Sequence, residues 1–129
     1  MININILLVE DDDDTINIFY DALTAHGYSV KMFTDPVKAY LNFKDNPSNY
    51  DLVLSDNNMP GMSGIELLVK IKQINNDVNV LLMSAFDLGV TSSELKEIGM
   101  EEFLEKPLHI HQLLEAIRKY HQPVISRSA

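Results

Sequence analysis

Five short apolar runs, each followed by a segment of helical periodicity, predict an α/β fold: a doubly wound five-stranded parallel sheet, (βα)5. Three observations carry this. The runs INILLV (4–9), DLVLS (51–55) and VNVLLM (78–83) are nearly continuous in apolar residues, the pattern of strands covered on both faces. Between them, apolar residues recur three and four apart, as on one face of a helix. Cap and turn residues stand at the junctions. Such alternation implies helices on both faces and right-handed crossovers, and 129 residues make one domain with a full core.

After the first strand, Ile16, Phe19, Tyr20 and Leu23 mark a helix that begins near Asp12, with Gly27 as its C-terminal stop. YSVKMF (28–33) alternates as a second strand. Asp35 is placed to cap and Pro36 to open a second helix, whose apolar stripe reads Val37, Tyr40, Leu41. The third strand, 51–55, leads through a loop to Gly61, and Ser63 with Glu66 forms a capping box. Behind it Leu67, Leu68, Ile71 and Ile74 share one helix face. The fourth strand is 78–83. A helix over 88–98 is the weakest, because Gly89, Val90, Thr91, Ser92 and Ser93 have poor propensity. EEFLE (101–105) gives a fifth strand, and Ile110, Leu113, Leu114 and Ile117 carry the last helix. The domain is expected over 1–121, with 122–129 as a tail or the start of a linker.

Composition narrows the function. A formal net charge of −9 argues against direct nucleic-acid binding, which requires a basic patch, and is compatible with cation binding or a basic partner. No run approaches the roughly 18 apolar residues of a membrane span. The N-terminal MININILLVE has neither the basic region nor the cleavage site of a signal peptide. With no cysteine, disulfides and thiolate zinc sites are excluded, which suits a cytoplasmic protein.

In open parallel sheets, ligands bind beyond the carboxyl ends of the strands. Those ends carry Glu10 and Asp11, then Asp56, then Ser84, then Lys106 and Pro107. An unpaired carboxylate at the tip of a buried strand is costly, so Asp56 asks for a reason. Two carboxylates about 4 Å apart repel by roughly 4 kcal/mol at an effective dielectric of about 20, so three of them call for a hard divalent cation. Mg2+ suits such a site, being held by one or two carboxylates, waters and a phosphate oxygen. A carboxylate is itself a nucleophile toward phosphorus. Lys106 and the cation would neutralise the transferring group, and Ser84 would donate to one of its oxygens.

The segments ILLVEDD (6–12), DLVLSDNNMPGMSG (51–64), LLMSA (81–85) and FLEKP (103–107), in that order, resemble the receiver domain of two-component response regulators. The similarity runs from about Ile4 to Tyr120 and implies a flavodoxin-like sheet of order 2-1-3-4-5. It implies that Asp56 accepts a phosphoryl group from a sensor histidine kinase or histidine phosphotransfer protein. Asp11, Asp56 and the backbone carbonyl of Asn58 would ligate Mg2+, with Glu10 acting mainly through a coordinated water. Ser84 and Phe103 would be the switch pair, Lys106 would pair with the phosphoryl group, and Pro107 would follow a cis peptide bond. Pro60 and Gly64 would shape the loop after Asp56. Asn57 departs from the apolar residue many receivers carry there.

The function so implied is a phosphorylation-controlled switch whose 88–120 face acts on a downstream effector or covalently linked output domain. It is not an enzyme beyond self-phosphotransfer and autodephosphorylation. Phe86, two residues after Ser84, is expected to hinder attack by water on the phosphorylated form. The alternatives are a pseudo-receiver docking module, a Mg2+-dependent phosphatase with an Asp nucleophile, and a flavodoxin-like FMN binder. The phosphatase reading meets Asn58 where a second acid is usual, and the FMN reading meets an acidic first loop. An EF-hand is excluded by ligand spacing. Asp12, Asp13 and Asp14 read as acids at a helix N-terminus, and His26, His109, His111 and His121 as surface. Met59 and Met62 are either loop packing or partner contacts.

Overall fold

A computed structural model describes residues 4–85 and 88–120; Phe86, His121 and the 122–129 tail lie outside the described residues. The elements in chain order are β1 (Asn5–Val9), α1 (Asp13–Ala25), β2 (Ser29–Phe33), α2 (Pro36–Asp45), β3 (Leu52–Asp56), α3 (Gly64–Ile74), β4 (Asn79–Ser84), α4 (Ser92–Glu97), β5 (Glu102–Glu105) and α5 (Ile110–Tyr120). All strand pairs are parallel and the order is β2-β1-β3-β4-β5. Each expected strand is present, its ends within one residue of the reading from sequence.

The period of two along the strands builds two cores. Ile6, Leu8, Leu52, Leu54, Leu81 and Met83 pack under α1 and α5. Leu7, Val9, Val53, Val80 and Leu82 pack under α2, α3 and α4. All eleven side chains are fully buried, and each contributes about 1.5–3 kcal/mol relative to exposure. This two-sided burial is why the central strands read as continuous apolar runs.

Two helices differ from their sequence reading. The buried face of α2 is Pro36, Ala39 and Phe43, whereas Val37 and Leu41 are 42% and 50% exposed. Only Tyr40 of the expected stripe touches the core. The helix turns to bring Phe43 inward, where its ring stacks on Tyr50 at 6.1 Å between centroids. The helix expected over 88–98 forms only over Ser92–Glu97. Gly89 adopts a positive φ of 73° ahead of it, and Thr91 opens it with a capping box to Glu94, stopping extension toward the N-terminus.

At the far end of the sheet, α5 is tied to β5. The Tyr120 hydroxyl donates to the Glu101 carbonyl at 2.8 Å and lies 3.1 Å from Glu102 Oε1. Burial, then the contact with the Glu102 carboxylate, pushes this phenol up to about 12.

The start of α3 is the tightest approach. Its first N–H groups are all satisfied: Gly64 donates to the Asn57 carbonyl, Ile65 to Asn57 Oδ1, Glu66 to Ser63 Oγ and Leu67 to the Ser63 carbonyl. A Cβ on Gly64 would meet the Asp56 backbone oxygen, Leu82 Cδ1 at 2.7 Å and the Asn57 Cα at 2.9 Å. Two of these are backbone atoms at the tip of β3 and cannot swing aside. Gly64→Ala is therefore expected to cost about 1–3 kcal/mol, the range of an overpacked core, read as a lower urea midpoint at unchanged slope; a midpoint within error of wild type contradicts this packing.

Candidate functional site

In the order β2-β1-β3-β4-β5 the chain runs outward from β1 to β2 and then returns to β3 on the other side of β1. The crevice between the carboxyl ends of β1 and β3 is the topological switch point. Val9 pairs with Ser55, so Glu10 and Asp56 fall on the next step of the same ladder. Strands lie about 4.8 Å apart, and the carboxylate oxygens of Glu10, Asp11 and Asp56 come within 4.8 Å of one another. Among the described residues this is the one group of three or more acidic or histidine side chains placed to hold a metal ion. Glu10 and Asp56 are buried, at 1% and 4% exposure, and Asp11 is exposed.

Lys106 reaches this group from beyond β5. Its Nζ lies 2.6 Å from Glu10 Oε1 and 2.9 Å from Asp56 Oδ1. The second oxygen of Glu10 accepts the Asp12 N–H at 3.3 Å. Burial raises the Glu10 pKa, against the opposing hydrogen bond from Lys106 and with the repulsion of Asp56 adding to it. Burial works to lower the Lys106 pKa, but the hydrogen bonds and charges of Glu10 and Asp56 outweigh it and hold the ammonium above its usual range. Three carboxylates against one ammonium leave a formal excess of negative charge at the rim. The donor set is all oxygen and partly open, which fits Mg2+ better than the fuller cage of Ca2+.

Asn58 is exposed in the loop after β3, and the Ser84 hydroxyl, buried at the tip of β4, donates to Asn58 Oδ1 at 2.8 Å. The Ser84 carbonyl accepts the Lys106 N–H at 2.9 Å, joining the two strand ends. Phe103 is half-buried and pairs in register with Leu82, two steps before Ser84 pairs with Glu105. It packs on the α3 and α4 side of the sheet. Pro60 is exposed in the loop and Gly64 is buried at its end. The Lys106–Pro107 peptide bond is cis. Asp12 caps α1 by accepting from Thr15, with Asp13 and Asp14 in the first turn. Met59 and Met62 pack against the core, and His26, His109 and His111 are exposed.

Sequence reasoning missed two contributions. Asn57 holds the first turn of α3 with both its carbonyl and its side chain, and its own N–H donates to the Met83 carbonyl at 2.8 Å. A polar residue ahead of a helix start was the available signal. The bond between Asn58 and Ser84 joins residues 26 apart in the chain and leaves no local pattern.

Known proteins are similar to this chain in sequence and in fold. The chain is 31% identical over 121 residues to sporulation initiation phosphotransferase F of Bacillus subtilis, covering 93% of this chain and 95% of that one. The fold is similar to a response regulator receiver domain protein from Clostridium thermocellum, with a TM-score of 0.83 and 27% identity over 91% of this chain and 93% of that one. It is similar also to the CheX–CheY–BeF3–Mg2+ complex of Borrelia burgdorferi, with a TM-score of 0.80 and 26% identity over 90% of this chain and 87% of that one. Residues 6–118 match the family model of the response regulator receiver domain, and with the acidic rim standing at the switch point of a 2-1-3-4-5 sheet, the chain belongs to that family.

Proposed function

We propose that this protein is a phosphorylation-controlled switch that receives a phosphoryl group on Asp56 from the phosphohistidine of a sensor histidine kinase or histidine phosphotransfer protein. The observation that carries this is the meeting of Glu10, Asp11 and Asp56 with Lys106 at the switch point. The beryllofluoride and Mg2+ of the similar CheX–CheY complex support the same reading.

A carboxylate oxygen of Asp56 attacks phosphorus, the phosphorus–nitrogen bond breaks, and its electron pair leaves on the imidazole. Lys106 already touches Asp56, so its ammonium meets charge on the incoming oxygens without travelling far. Asp11, Asp56 and the Asn58 carbonyl would hold Mg2+, with Glu10 behind a water. When bound, Mg2+ supplies charge neutralisation at the transferring oxygens. Ser84 donates its hydroxyl to one of those oxygens, and hydrolysis of the acyl phosphate by water resets the switch. We read the domain as cytoplasmic; among the described residues no helix is long and apolar enough to cross a membrane.

The output surface is the 88–120 face, toward an effector or a linked output domain. The α4 helix spans six residues, and between it and β5 lies a cavity of about 360 Å3 lined by Leu95, Met100 and Phe103 among others. An inward turn of Phe103 would alter that lining. Driving such a switch from 1:99 to 99:1 needs about 5.5 kcal/mol of preference.

Intact mass after incubation with acetyl phosphate and Mg2+ tests the chemistry. One added phosphoryl group is expected in the wild type, and none in Asp56→Asn or after chelation. A folded wild type that gains nothing overturns the reading in favour of a docking module. Amide hydrogen exchange locates the output. Phosphorylation is expected to change rates within 88–120, and rates unchanged there would refute that assignment.

A further inference from the structure

We propose that the side-chain amide of Asn58 is a positioning group that restrains Ser84 in the unphosphorylated protein, by competing with the phosphoryl group for the single proton of its hydroxyl. The proposal rests on the receiving-site reading above and adds a control on it. Ser84 Oγ donates to Asn58 Oδ1 at 2.8 Å. A hydroxyl donates once, so Ser84 must leave Asn58 to donate to a phosphoryl oxygen on Asp56.

The acceptor stands on a fixed support. Its neighbour Asn57 is bonded to the Met83 carbonyl through its N–H, and to Gly64 and Ile65 through its carbonyl and side chain. The donor's backbone is fixed as well, since Ser84 lies in the β4–β5 ladder and its carbonyl accepts from Lys106. Only the side chains are left to exchange partners. Once Ser84 departs, Asn58 is exposed and water replaces the lost donor. The restraint is therefore modest, a bias of about three- to tenfold, the equivalent of one net hydrogen bond.

Mg2+ with beryllofluoride, followed by amide NMR shifts, is the probe. Asn58→Ala is expected to tighten the apparent affinity about three- to tenfold when Ser84 is present, and to leave it unchanged in the Ser84→Ala background. A metal-free readout accompanies it. Without Mg2+ or beryllofluoride, the Ser84 and Phe103 amide shifts of Asn58→Ala should move toward those of the beryllofluoride-bound wild type. Asn58→Asp keeps an acceptor oxygen and should leave them at their wild-type positions. An equal effect of Asn58→Ala in both backgrounds, or metal-free shifts that do not move, overturns the restraint alone. A wild type that takes up no beryllofluoride overturns the receiving-site reading, and the restraint with it.

Discussion

Everything at the rim depends on how one ammonium is shared between two buried carboxylates. Lys106 bridges Glu10 and Asp56 at 2.6 and 2.9 Å, and Asp11 adds a third negative group within 4.8 Å. A buried ion pair is a poor way to stabilise a fold, because desolvation offsets most of the attraction, and apolar residues of similar volume often do as well or better. Removing one partner, by contrast, leaves an uncompensated charge at a cost of about 3–5 kcal/mol. The cluster is thus expensive to keep and expensive to break, and it still carries excess negative charge.

The sheet makes this sharing geometrically available. Glu10 and Asp56 are neighbours because β1 pairs with β3, and Lys106 arrives because β4 sets β5 in register through Ser84 and Glu105. The loop after Asp56 is then held from both ends. Asn57 binds backward to Met83 and forward to the first turn of α3, while the missing side chain of Gly64 lets that turn press against the tip of β3. On the loop so held, the Asn58 side-chain amide accepts from Ser84 across the gap between the ends of β3 and β4.

The central strands were legible because burial on both faces removes polar residues from the run. The rim acids and Lys106 were legible because each ends a strand, and topology alone brings strand ends together. The face of α2 was not, since Val37 and Leu41 are as apolar as the residues that are buried in their place. The true inward face is decided by Phe43, which finds Tyr50 across the loop. Nor could the length of α4 be read from propensity, because the Thr91 capping box sets its start. Asn57 and Asn58 were the hardest to assign. Amide side chains take their roles from partners that the fold supplies, and one of those partners, Ser84, lies 26 residues away.

The most direct test of the central claim is a Mg2+ titration of the unphosphorylated protein, followed by amide shifts. The account predicts a single saturable site, with shifts concentrated at Glu10, Asp11, Asp56, Asn58 and Lys106, and weaker binding in Asp11→Asn. A non-saturating drift spread over the acidic residues of a chain of net charge −9 would contradict it.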